Sequence, residues 1–115
     1  MAITETTDSA TISTTEFFLA SDSTTAIYQT STCILNGFVD FNAMLAGDLF
    51  RLRVYRKINT STARTVFDAY VSGVQAGPYV LPGIPVGGAA GAWEVSVQKI
   101  AGTDRSIGWS LPTVA

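Results

Sequence analysis

The chain predicts an all-β fold: a single antiparallel β-sandwich, jelly-roll-like, of seven or eight strands, with a small closed barrel as the alternative. Three observations predict it. Apolar and polar residues alternate in run after run, most clearly over Leu49–Lys57 and Trp93–Leu111, which is the two-residue period of a strand with one buried face. Clusters of Asp, Asn, Ser and Thr, such as Asp22-Ser23-Thr24-Thr25 and Asn59-Thr60-Ser61-Thr62, separate the runs and mark turns. No stretch sustains a helical period, and no internal repeat suggests a propeller or solenoid. At 115 residues, 47% hydrophobic and 14% charged, the chain suits one domain with its own core.

Residues 1–15 are dominated by Thr, Ser and acids, with Ile3 and Ile12 the only large apolar side chains after Met1. They read as an extended, loosely held N-terminal arm that becomes a strand near Ile12. Such a terminus is either disordered or docked on a neighbouring subunit. The sandwich domain then occupies residues 16–115. Phe17-Phe18-Leu19-Ala20 begins it as a strand, and Ala26-Ile27-Tyr28-Gln29 reads as another short one. Cys33–Phe41 follows, with Gly37 placed for a bulge. Residues 42–48 resemble one helical turn ending in Gly47, a residue suited to positive φ.

Leu49–Lys57 places Phe50, Leu52 and Val54 on one face and Arg51, Arg53, Tyr55 and Lys57 on the other. Arg64–Val71 returns with Phe67, Ala69 and Val71 toward the core, and Asp68 set to balance the arginines across the strands. Gly77–Gly88 holds three prolines within eight residues, so it is an edge strand or an extended loop, not a central strand. Its apolar residues Tyr79, Val80, Leu81, Ile84 and Val86 either pack over one end of the core or form a rim for another chain. Trp93–Leu111 reads as a closing hairpin, with Gly102 supplying positive φ in its turn and Ile107 and Trp109 in the core.

The residue inventory restricts the chemistry. There is no His, which removes the commonest general base and metal ligand. A single cysteine, Cys33, sits in apolar context and has no second thiol for an intrachain disulfide. The glycines lack the Lys-Ser/Thr and the following helix of a phosphate loop. The acids are scattered, with no motif marking a catalytic pair. The expectation is a protein that binds or builds and is not an enzyme, with no cofactor and no metal. A net charge of −2 argues against wholesale attraction to nucleic acid or an anionic membrane. No run reaches the roughly 20 apolar residues of a membrane-spanning helix, and the acidic N-terminus lacks the apolar core of a signal peptide. The low charge is either that of a Thr/Ser-rich β protein or that of a surface covered by partners. The basic strand is either a solvated face balanced by Asp68 and Glu94, a grip on acidic groups of a protein partner, or a phosphate track.

The run Ala46-Gly47-Asp48-Leu49-Phe50-Arg51-Leu52-Arg53-Val54-Tyr55 and the ending Ala101-Gly102-Thr103-Asp104-Arg105-Ser106-Ile107-Gly108-Trp109-Ser110-Leu111 resemble small virion proteins of tailed bacteriophages, and among these the head decoration, or cement, proteins. The resemblance implies a homo-oligomer, a trimer or a dimer, that is made in the host cytoplasm and sits on the capsid surface. Its partner there would be the major capsid protein, held by non-covalent contacts. No functional residue carries over, because this class shares no binding signature. The candidate partner contacts are therefore those the residues themselves suggest: Ile3 and Ile12 of the arm, Arg51, Arg53, Tyr55 and Lys57 of the basic strand, and Tyr79, Leu81 and Ile84 of the proline-rich segment. The alternative expectation is a receptor- or carbohydrate-binding module of a fibre or tail, in which Trp93, Trp109, Tyr55, Tyr70 and Tyr79 would stack on sugar rings.

Overall fold

The alternating runs become eight strands in two four-stranded antiparallel sheets packed together. The computed structural model describes residues 3–59 and 62–115, with side chains from residue 7 onward. The strands are β1 (Ile3–Ile12), β2 (Phe17–Phe18), β3 (Cys33–Asp40), β4 (Leu49–Lys57), β5 (Ala63–Ser72), β6 (Tyr79–Val86), β7 (Trp93–Ala101) and β8 (Arg105–Val114). The first sheet has the order β1-β8-β3-β6 and the second β2-β7-β4-β5. Strand β1 pairs with β8, β2 with β7, β3 with β6 and β4 with β5. Each strand of the first half thus meets its counterpart from the second half, as in one long hairpin folded over on itself.

Alternation explains the core. Phe50, Leu52 and Val54 of β4 and Val95 and Val97 of β7 point inward from the second sheet, and all are fully buried. They meet Leu35 and Val39 of β3 and Ile107, Trp109 and Leu111 of β8 from the first. Burial of each such side chain contributes about 1.5–3 kcal/mol. The expected bulge is present: the β3–β6 register shifts between Leu35 and Gly37. Gly37 faces inward, where a Cβ would stand 2.5 Å from the Leu81 Cδ1. The proline-rich segment is the edge strand β6, paired only with β3, where missing amide hydrogens do no harm.

The structure corrects five readings. The N-terminal stretch is no loose arm: β1 is hydrogen-bonded to β8 in register from Ile3↔Val114 to Ile12↔Arg105. Backbone pairing to an available sheet edge holds it where its side chains would not. Residues 26–29 form no strand and keep only the isolated bridge Gln29↔Trp93. The strand read over Phe17–Ala20 is limited to Phe17 and Phe18. Residues 42–48 are turns without a helix, although Gly47 does take positive φ. Finally, β7 and β8 are not a hairpin. They lie in different sheets, and the turn between them, with Gly102 at φ 95°, crosses the sandwich. Period-two alternation states which face is buried but not which strand is the neighbour. In the turn Asn59–Thr62, Thr60 and Ser61 lie outside the described residues, as do Met1 and Ala2.

Asp48 fastens this crossing turn. Its carboxylate accepts hydrogen bonds from the Leu45 amide (2.9 Å), the Thr103 amide (3.0 Å) and the Arg105 Nε (2.7 Å). The Arg105 hydrogen bond, then the two backbone amides, hold its pKa down to about 2. The loop between β3 and β4 is thereby tied to the far end of the chain.

Candidate functional site

The two outer faces of the sandwich differ in kind. On the second sheet, β4 turns Arg51, Arg53, Tyr55 and Lys57 outward, as alternation requires. Arg51 forms a bidentate pair with Asp68 of β5, with Nε–Oδ1 at 2.8 Å, and its guanidinium lies 5.2 Å from the centre of the Tyr70 ring. The pair holds the Asp68 carboxyl below its usual range. Arg53 is largely buried and paired with Glu16 at 2.8 Å. The same Glu16 accepts hydrogen bonds from the Tyr55 hydroxyl (2.7 Å) and the Ser96 hydroxyl. Burial, then the Glu16 carboxylate, pushes the Tyr55 phenol up to about 12. The Lys57 ammonium sits 5.8 Å from the Tyr28 ring. Arg53 and Tyr55 therefore fasten the segment after β1 to the sheet, and only the β4–β5 half of this face is open.

Glu94 was expected to balance the exposed arginines, but it is fully buried. The segment after β2 covers it, and its carboxylate accepts hydrogen bonds from the Ala20 amide (2.9 Å) and the Ser21 hydroxyl. Burial pushes this carboxyl up, and the hydrogen bonds from Ser21, Val95 and Ala20 only partly oppose it. A carboxyl whose pKa is raised in the folded state adds stability that is complete below its unfolded value and is lost as pH rises through the folded value. The Glu94→Gln variant lacks this titration. Lowering the pH from 7 to 4.5 is therefore expected to stabilise the wild type relative to Glu94→Gln in paired urea melts. A difference that stays constant, or moves the other way, would contradict this account of the buried carboxyl.

On the first sheet the outer face is apolar and small-residued. Ile34 and Phe38 of β3 are 42% and 43% exposed, and Val80 of β6 is 59% exposed. Phe38 lies opposite Val80 on one side and Ser110 on the other, and Ile34 lies between Pro85 and Val114. A hollow of about 290 Å³ on this face is lined by Asp8, Phe38, Asp40, Pro78 and Gly108. A second, of about 440 Å³, lies at one end of the sandwich between Cys33, Ile34, Arg56, Val86 and Val114. The Arg56 guanidinium spans that end, donating to the Pro85 and Lys57 carbonyls. Cys33 is buried, and burial pushes its thiol up. Among the described residues no three His, Cys, Asp or Glu side chains converge to hold a metal ion, and no helix is long and apolar enough to cross a membrane.

The candidate contacts are thus dispersed. Ile12 and Leu81 are core residues, 0% and 2% exposed, and are withdrawn as partner contacts. Their inward alternation is what buries them. Tyr79 and Ile84 are half-buried against the core, with Tyr79 edge-on to Phe67 at 6.1 Å. The Ile3 backbone pairs with Val114, and its side chain is outside the described set. Arg51 and Lys57 stay at the surface. Trp93 and Trp109 are 4% and 5% exposed and present no ring for sugar stacking. Sequence reasoning missed Ile34 and Phe38, and it named Val80 in the apolar segment without choosing it as a contact. The signal was available in β3 and β6, where large apolar residues occupy both alternating positions. Comparison with protein-family models, curated proteins and solved structures finds no match.

Proposed function

We propose that the sandwich is a jelly roll and that the chain is a structural virion protein, one that decorates a bacteriophage capsid and stabilises it through non-covalent contacts with the major capsid protein. The pairing of β1 with β8, β2 with β7, β3 with β6 and β4 with β5 is the observation that carries the reading. A jelly roll is a long hairpin rolled into two sheets, and it is a fold of viral capsid domains. The fold supports the class and not the partner. The partner rests on the phage-like phrases at 46–55 and 101–111.

The contact to the shell is assigned to β1. It is an edge strand with one neighbour, and Ile12 is the only one of its described side chains that is fully buried. Its open edge presents unpaired backbone groups to another chain. The double variant Thr7→Lys/Thr11→Lys places charge on β1 at exposed positions, leaves the pairing with β8 and the buried Ile12 in place, and is expected to keep the fold intact by near-ultraviolet circular dichroism. Occupancy on purified heads should fall at least tenfold, from the hundreds of copies per particle that decoration requires. Full occupancy by the folded double variant would remove β1 from the contact. A handful of wild-type copies per particle would replace decoration by a tail or neck role.

A further inference from the structure

Residues 19–29 belong to none of the eight strands and lie over the outer face of β7. Backbone hydrogen bonds tie them there. Leu19 donates to the Val95 carbonyl (2.8 Å) and Gln29 to the Trp93 carbonyl (2.8 Å), and Trp93 donates back to Gln29 (3.0 Å). Beneath them is the buried Glu94, with no cation paired to it among the described residues. The Ser21 hydroxyl above it is short of hydrogens. Its oxygen meets the Ile27 amide (3.0 Å), the Ile27 carbonyl (3.1 Å) and the Glu94 Oε2. The amide brings its own hydrogen, and the hydroxyl has one to give. With Glu94 ionised, that hydrogen goes to the carboxylate, and the Ile27 carbonyl keeps only the Gln29 Nε2 (2.8 Å). All three hydrogen bonds form together when Glu94 carries a proton and donates it to Ser21. A second contact of this kind lies at the rim, where the Asp22 side chain is hydrogen-bonded to that of Asp8 on β1. Two carboxyl groups hydrogen-bond to each other only if one of them is protonated.

We propose that residues 19–29 are a flap held shut by two protons, one on Glu94 and one on Asp22, and that the flap lifts from β7 when these protons leave. The groups around both sites agree. Tyr55 of β4 stands opposite Glu94 in the register but bonds to Glu16. Arg53 and Lys57 of β4 are directed to Glu16 and to the ring of Tyr28 in the flap. Glu94 is left with the Ala20 and Val95 amides, besides Ser21, when it ionises. At the rim the Ser9 amide donates to the Asp8 Oδ1 (2.8 Å), which favours charge on Asp8 and the proton on Asp22. Burial pushes Glu94 up, the hydrogen bond to Asp8 pushes Asp22 up, and the Ser9 amide, then Asp22, holds Asp8 down. Groups raised in the closed state stabilise it below their ordinary values, and this is lost as pH rises through the raised ones. Asp8 acts in the opposite sense, but only below its ordinary value. Lifting the flap frees the Trp93 and Val95 carbonyls and the Trp93 amide, an edge of β7 on which another strand can pair. The flap thus hides this edge in acid and offers it as pH rises. The inference does not depend on what the protein decorates.

Amide hydrogen exchange followed by NMR tests the flap. Protection factors, corrected for the intrinsic pH dependence of exchange, are read for the Leu19 and Gln29 amides between pH 5 and 7. Each proton released on opening lowers protection by up to about tenfold per pH unit, so the wild type should lose roughly tenfold or more across this range. Urea below the unfolding transition should leave these two amides unchanged while lowering protection along β4, which opens with the whole domain. The double variant Glu94→Gln/Asp22→Asn puts an amide N–H where each proton lies. Its protection should hold at the wild-type pH 5 level through pH 7. If it misfolds, Asp22→Asn alone serves, since Asp22 is exposed at φ 51°, a conformation that Asn tolerates. With one proton removed from the latch, its loss should be smaller than that of the wild type by about threefold or more. Wild-type protection that does not change with pH would overturn the proposal. So would flap amides that follow β4 in urea, or a variant that keeps the full wild-type loss. None of these outcomes bears on occupancy of heads by the β1 variant.

Discussion

Gly102→Ala is expected to lose about 3 kcal/mol of stability, a fall in Tm of roughly 12–18 °C for a domain of this size. Gly102 sits at φ 95° in the turn that carries the chain from β7 in one sheet to β8 in the other. An alanine there would adopt a conformation that L side chains rarely take. Its Cβ would also meet the Asp48 carboxylate and stand 2.7 Å from the Asp48 Cα, so backbone, and not only a flexible side chain, would have to move. The movement would disrupt the hydrogen bonds that Asp48 accepts from Thr103 and Arg105. The acid limb should change with it. Asp48 has a depressed pKa, so its contribution is present above the ordinary carboxylate value and is lost as pH falls toward about 2. Thermal melts of the wild type and the variant between pH 2 and 5 should therefore converge at the acid end. Curves that stay parallel would place the strain away from Asp48.

Phe50→Ala is the second large effect, expected to destabilise by about 3–5 kcal/mol. Phe50 is fully buried at the start of β4, with its ring 6.2 Å from that of Phe41. Strand β4 is central in its sheet, paired with both β5 and β7, so neither neighbour can collapse into the space left behind. Phe50→Leu, which retains most of the volume, should lose only about 1–1.5 kcal/mol. Urea denaturation with an unchanged m-value would assign both losses to the native core. Equal losses for Ala and Leu would indicate that the ring geometry, and not the volume, is what matters.

The faces of individual strands were legible because alternation is a local property. Phe50, Leu52 and Val54 inward with Arg51 and Arg53 outward needed no knowledge of any partner strand. The edge position of β6 was equally local, since Pro82 and Pro85 cannot donate to a second neighbour. Asp68 opposite the basic strand followed from the register of a short connection, and the Arg51–Asp68 pair realises it. The interaction surfaces were harder to read. Apolar residues in the proline-rich segment pointed to the right strand and the wrong side of it. Leu81 is core, while Val80 is exposed beside Phe38, a neighbour 42 positions away in sequence. Glu94 likewise read as a surface charge, because nothing near it in sequence announces that residues 19–29 fold over it.

By itself the sequence determined the strand class, the inward sets of β4, β5 and β8, the bulge at Gly37 and the positive φ at Gly102. All of these follow from the geometry of a few consecutive residues. Only the tertiary structure decided that β7 and β8 part into different sheets, that the N-terminal residues pair as a strand and that Glu94 lies buried. It also decided that Phe38 and Val80, far apart in sequence, become neighbours on one outer face. Those outcomes depend on which distant strands become neighbours. Strand pairing is made by backbone groups that every residue carries alike, so no local pattern of side chains encodes it.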